Sequence, residues 1–438
     1  MSGAAPGPGG AAALAARQLS GSWTGTHTVP AAGLYPHQWS WDSAFIAVGL
    51  RHVAPDRAMT ELETLLAAQW ADGRVPQIVY DLARDDDYSP GAQFWRSRDL
   101  PGSPAAATAG FVQPPVHAWA ALLVHRAAPE LSRARGFLAG AYPRLVAWHE
   151  YLRTRRDRGG AGLAAVVHPW ESGTDNSPLW DEALARVPDT PRTAIRRPDL
   201  AHAGPGERPG AKEYARYYWL AERYRDHRCD DRDQGHPFVL EDPAFNALWA
   251  RSELALAEMA GELRADPRPH LDRAGEIGGS LERLWDEELG LYVAHDVVAD
   301  RPARRATVNG LVPLVLPDLP RARTLVETLR GPGFLGAGAV LVPSYDLRAP
   351  DADRALYWRG PAWFNMTWLV IDGLRRHGET ALAAHLTGPF VDLAVRGGFP
   401  EYVDPVDGEP HGTRHFSWTA ALTLDLAAGG GAGARADR

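Results

Sequence analysis

The chain has 438 residues, with 46 Lys plus Arg against 54 Asp plus Glu and a formal net charge of -8. That length supports a large core, and the acidic balance, with arginines scattered among acids and apolar residues, argues against nucleic acid as a partner. A single cysteine, Cys229, excludes an intrachain disulfide framework and fits a reducing, cytoplasmic setting, while no stretch has the apolar run of a signal peptide or a membrane span.

Residues 1–24, rich in Gly, Ala and Pro, read as a weakly ordered segment. Tyr35-Pro36-His37-Gln38-Trp39-Ser40-Trp41-Asp42 then leads into Ile46, Val48 and Leu50, spaced as in a buried helix. Asp42 is read either as the cap of that helix or as a ligand for a sugar hydroxyl beside Trp39 and Trp41. A second helix is expected over 58–71, followed by an extended return at 75–80. The Asp-, Pro-, Gly- and aromatic-rich stretch 81–110 reads as a binding rim or a mobile decoration, and Tyr88, Phe94 and Trp95 favour the rim. Gln113, just before Pro114-Pro115, is placed to present its amide to a polyhydroxylated ligand, whereas His117 reads as a core histidine.

Beyond helices expected through 131–156 comes His168-Pro169-Trp170-Glu171-Ser172-Gly173-Thr174-Asp175-Asn176-Ser177-Pro178, the densest cluster of chemistry in the chain. Ser177-Pro178 supplies an N-cap and a first helical position, so Asp175 lies on the approach to a helix. Burial beside Trp170 and Trp180 would raise its pKa as a general acid requires, and the helix dipole would oppose that; an Asx turn is the simpler alternative. Residues 187–210 read as a surface excursion. In the helix expected over 211–225, Arg216 is either paired on a solvated face or positioned to hold a carboxylate. Cys229 has too polar a setting for an activated nucleophile.

Further helices are expected at 241–260 and 270–286, with short ones between 301 and 330 interrupted by Pro313, Pro317 and Pro320. Tyr357-Trp358-Arg359-Gly360-Pro361-Ala362-Trp363 suits a rigid sugar pocket or simple packing at a helix entrance. After helices around 377–396, Glu401 is a candidate general base, with Asp404 second. His411 and His415 sit in a turn without a metal-ligand motif, so neither metal nor cofactor is expected. A final helix begins near Phe416, and residues 429–438 read as a frayed tail. The preponderance of helices makes this an all-α chain; periodicity leaves the closure of a barrel and homo-oligomerisation open.

From about Tyr35 to Leu424 these markers, in their order and spacing, resemble glycoside hydrolase family 63, specifically its compact bacterial members acting on glucosylglycerate or mannosylglycerate. The resemblance implies a single (α/α)6-barrel catalytic domain over 25–428, with active-site loop excursions at 81–110 and 187–210. It also implies inverting hydrolysis of a small acidic α-glycoside, glucosylglycerate before mannosylglycerate. Asp175 would be the general acid and Glu401 the general base, about 6.5–9.5 Å apart to admit the attacking water. Tyr35, Trp39, Trp41, Asp42, Tyr88, Gln113, Trp170, Glu171, Tyr357, Trp358 and Trp363 would form or support the pocket, and Arg216 would hold the glycerate carboxylate. A trehalase-like short α-glucosidase and a non-catalytic carbohydrate-binding protein are the competing functions; an Arg216 away from the leaving-group side would favour the former.

Overall fold

The computed structural model describes residues 8–204 and 206–429. In chain order its principal helices are α1 (Pro8–Gly21), α2 (Ser40–Leu50), α3 (Pro55–Ala67), α4 (His117–Ala127), α5 (Phe137–Tyr151), α6 (Ala211–Asp226), α7 (Pro243–Glu262), α8 (Arg268–Leu281), α9 (Ala322–Arg330), α10 (Phe364–Arg376), α11 (Thr380–Arg396) and α12 (Ser417–Gly429). Six elements close an inner ring: α2 packs on α4, α4 on α7, α7 on the 3-10 segment Val312–Val315, that segment on α10, α10 on α12, and α12 back on α2. Outer helices α1, α3, α5, α8 and α11 lean on this ring, and α9 follows its 3-10 member in the chain. This is the expected (α/α)6 toroid.

Sequence sorts the rings. Every residue of α2 is buried, as are most of α7 and the first ten of α12, because an inner helix meets protein on all sides. Outer α3 buries only Ala58, Met59, Glu61, Leu62, Leu65 and Leu66, a single stripe at helical spacing. Close packing within the ring needs small residues: a Cβ on Gly49 of α2 would lie 2.3 Å from the carbonyl oxygen of Ala421 in α12.

Short strands lead into three of the inner helices. Gln38–Trp39 pairs with Ile78–Val79 ahead of α2, Leu240–Glu241 with Ala165–Val166 ahead of α7, and Ala362–Trp363 with Tyr402–Val403 ahead of α10, each antiparallel. These pairings tie the long connections to one end of the ring, where the candidate residues collect. Among the described residues no helix is long and apolar enough to cross a membrane.

Two expectations need correction. The segment before residue 24 is not weakly ordered where described: α1 docks on α12 and α11 through buried Ala11, Ala15 and Leu19. Alanine is the strongest helix former, and the four-residue spacing puts these three side chains on one stripe. Residues 1–7 and the tail 430–438 lie outside the described residues. Asp42 does not cap α2, since Trp39 holds the cap position and Asp42 sits inside the first turn.

Leu19 is 1% exposed, so Leu19→Ala should lower the free energy of unfolding by about 2–5 kcal/mol. Chemical denaturation measures it; an unchanged midpoint and slope would mean that α1 does not dock in solution.

Candidate active site

The connections at the N-terminal end of the inner ring enclose a pocket lined by aromatic and acidic side chains. Tyr35, Trp39, Trp41, Asp42, Tyr88, Gln113, Trp170, Tyr357 and Trp358 line it, and Asp175 and Glu401, 226 positions apart in the sequence, share it. The two carboxylates have opposite surroundings. Glu401 is 1% exposed; its Oε2 accepts a 2.6 Å hydrogen bond from Nη2 of Arg208 and one from the Thr413 N–H, and its Oε1 accepts one from the Tyr35 hydroxyl. Asp175 is in no ion pair among the described residues. What exposure it has opens into the pocket, and burial, with Glu401 adding to the effect against Arg208, pushes its carboxyl up to about 7. Asp42, 4% exposed, is held well above the usual carboxylate range by the same desolvation and by the neighbouring acids Glu401, Asp175 and Glu61.

Local sequence explains how Asp175 is presented. Ser177 caps the turn Pro178–Trp180 by accepting from the Leu179 N–H, so capping is done without Asp175. Tyr217 of α6 donates its hydroxyl to the Asp175 carbonyl oxygen at 3.0 Å, and the indole N–H of Trp180 donates to the Thr174 carbonyl oxygen. Gly173 has φ +73, and a Cβ there would lie 2.4 Å from the Trp41 ring, so only glycine lets this loop cross the indole. Trp358 adopts φ +61, unusual for a bulky residue, and stacks on Trp363 at 3.8 Å with the rings parallel to within 1°.

Several donors face no protein acceptor. Nε of Arg208 and the indole nitrogens of Trp358 and Trp418 are buried without a partner among the described residues, and all three residues line the pocket. Gln113 accepts from the Trp41 N–H through its Oε1, leaving its NH2 group for other partners. Unmatched buried donors beside indole faces suit a ligand that carries hydroxyl and carboxylate oxygens on a ring that can stack.

Three expected pocket residues lie elsewhere. Glu171 is fully buried behind the pocket, where it forms two 2.7 Å bonds with Arg156 and accepts from the Val112 and Val167 N–H groups. It is a supporting carboxylate that joins the loops carrying Gln113 and Trp170. Trp363 backs Trp358 without lining the pocket. Arg216 lines a separate cleft with Asp181, Glu213 and Arg359, since its place on α6 turns it away from Asp175.

The cation of the pocket is Arg208, which sequence reasoning missed because it falls in the 187–210 excursion. That excursion is part of the wall: Pro198, Asp199, Arg208 and Pro209 line the pocket. Glu207 pins it, bonding the His411 ring and the Gly412 N–H while its carbonyl accepts from the Tyr402 hydroxyl. Gln77, Tyr214, Tyr217, Phe416 and Trp418 were missed too; a Glu-Arg-Pro-Gly run between aromatic helices was the available signal for Arg208. Cys229 is not in the polar setting its sequence neighbours suggest: it is buried in the core, and desolvation pushes its thiol up to about 12.

Residues 35–419 match the family model for the mannosylglycerate hydrolase MGH1-like glycoside hydrolase domain. The chain is 41% identical to a mannosylglycerate hydrolase of Rubrobacter radiotolerans, over 93% of this chain and 94% of that protein. It is 37% identical to a glucosylglycerate hydrolase of Mycolicibacterium hassiacum, covering 94% of this chain and 97% of the relative. The crystal structure of a GH63 mannosylglycerate hydrolase from Thermus thermophilus in complex with Tris and D-glycerate superposes with a TM-score of 0.88 at 39% identity, covering 95% of this chain and 99% of that one.

If Glu171 is a support and not a ligand for substrate, Glu171→Ala leaves Arg156 with one fewer buried partner and should destabilise the fold by about 3–5 kcal/mol. Thermal and chemical unfolding check this; a variant as stable as the parent but weakened only in KM would return Glu171 to the pocket.

Proposed function

The chain belongs to glycoside hydrolase family 63, in its mannosylglycerate hydrolase MGH1-like branch, and from that premise we propose that Asp175 and Glu401 hydrolyse glucosylglycerate, and secondarily mannosylglycerate, with inversion at the anomeric carbon. The observation that carries the assignment of roles is the electrostatic asymmetry of the two carboxyl groups. Asp175, unpaired and pushed up to about 7, keeps a proton to give; Glu401, in an ion pair with Arg208, is a carboxylate that can take one.

In the reaction the sugar ring rests among the indoles of Trp39, Trp41, Trp170 and Trp358. Asp175 protonates the glycosidic oxygen as that bond breaks, and glycerate leaves with the proton. Glu401 takes a proton from the water whose oxygen bonds to the anomeric carbon from the opposite face. Arg208 takes over the role first given to Arg216: its unpartnered Nε is the donor that suits a substrate carboxylate. The position of Arg216 by itself favoured a neutral, trehalase-like substrate, but a buried guanidinium in the pocket restores the preference for an acidic one. The described barrel acts as one catalytic domain, and the single thiol favours a cytoplasmic setting.

Hydrolysis of glucosylglycerate followed by proton NMR should show β-glucose first, before mutarotation; initial α-glucose would reject inversion. Replacing glucosylglycerate by glucosylglycerol exchanges the substrate carboxylate for a neutral hydroxymethyl group and should lower kcat/KM by at least about tenfold; equal rates would reject recognition of the acid. Because Asp175 must be protonated to act, kcat/KM should fall as pH rises through about 7. Asp175→Asn should remove nearly all turnover while retaining the fold, and a variant close to parental activity would overturn its role.

A further inference from the structure

The inner helices end far from the active site, and there a second cleft of about 360 Å³ opens between α4, α7 and α10. Its floor holds Arg251, which is 5% exposed, has no ion pair or hydrogen bond among the described residues, and has its Nε buried without an acceptor. It lies over the face of Trp119, with the guanidinium carbon 4.9 Å from the ring centroid. Arg126 and Arg376 line the same cleft. Each already has a carboxylate, Glu258 for Arg126 and Asp372 for Arg376. Arg251 is thus the guanidinium of this cleft that has no carboxylate partner among the described residues, and at 5% exposure it has little access to water. A guanidinium cannot shed its proton at neutral pH, so beyond what the face of Trp119 supplies, this charge has to be met by an anion or by water at the cleft. Burial, with Arg376 and Arg126 adding to it against Asp372 and Glu258, pulls Arg251 down to about 10.

The rest of the lining is apolar: Leu254, Ala257, Pro267, Leu271 and Pro317. Inorganic phosphate would leave that surface uncovered, whereas a carboxylate on a short hydrocarbon body would satisfy both parts. We infer that this cleft is a second binding site, separate from the catalytic pocket, that takes a small amphiphilic monocarboxylate with its carboxylate on Arg251 and its hydrocarbon against Leu254, Leu271 and Pro317.

Isothermal titration of the full chain with sodium hexanoate, at constant low ionic strength, tests the site. Expected is a saturable one-to-one isotherm, with no binding of hexanamide and much weaker binding of phosphate. Arg251→Met should weaken hexanoate binding at least about tenfold while leaving glycoside hydrolysis unchanged, which separates this cleft from Arg208 in the pocket. Glu258→Gln, which removes a negative charge beside the site, should tighten hexanoate binding and serves as the second variant if Arg251→Met fails to fold. Equal affinity of the parent and Arg251→Met, or affinity unmoved by Glu258→Gln, would overturn the site. Phosphate binding as tightly as hexanoate would overturn the amphiphilic ligand.

Discussion

The buried pair between Arg208 and Glu401 is the contact on which the arrangement of the pocket rests. Both side chains are almost completely excluded from solvent, at 2% and 1% exposure, and a pair so deeply buried depends on further hydrogen bonds to its carboxylate. Tyr35 and the Thr413 N–H provide that match for the carboxylate, and the ring of Tyr357 lies 4.5 Å from the guanidinium carbon. The pair joins two loops 193 positions apart and gives one pocket carboxyl a close counter-charge, leaving the other to be governed by desolvation. Differentiation of two chemically similar acids thus comes from where one arginine is delivered.

Delivery depends on a set of contacts behind the pocket. Arg156 spans Glu171 and Asp231, and Arg74 joins Asp231, the Tyr224 hydroxyl and the carbonyls of Gly110 and Cys229. These buried bonds link the connections before α4 and after α5 to the loop following α6. On the other flank, fully buried Glu61 of α3 accepts from the Thr28 N–H and the Ser43 hydroxyl, holding the start of α2 where Trp41 and Asp42 reside. Polar networks of this kind add little net stability but specify one arrangement of loops, which is what a pocket built around two carboxylates needs. The ring of inner helices supplies the rigid base, and the aromatic stack of Trp358 on Trp363 carries that rigidity to the pocket wall.

The two ends of the toroid differ in chemistry for a common reason. Inner helices begin at the pocket, where acids gather, and end at the far side, where Arg51, Arg126 and Arg376 sit on or next to their last turns. Cations near helix C-termini and acids near N-termini both oppose the helix dipole. The pocket collects its acids at the N-terminal end; Arg251, within α7 and without a carboxylate among the described residues, exceeds what the dipoles require.

Sequence by itself determined the helical class, the order of elements and many of the pocket's aromatic and acidic residues. Apolar residues at helical spacing, glycine and proline at the breaks, and tryptophans clustered with Asp42, Asp175 and Glu401 are local signals that survive without neighbours. It also marked Ser177 as a cap and so left Asp175 free for other work. Tertiary structure alone decided which charges meet. Arg208 and Arg216 stand eight residues apart in similar company, yet one closes on Glu401 and the other turns to a different cleft, because loop path and helix phase set direction. Glu171 and Asp175 likewise differ by four residues, and only packing shows that one is locked to Arg156 and the other opens to the pocket. Ionisation follows burial and partners, and both belong to distances across the fold that spacing along the chain does not contain.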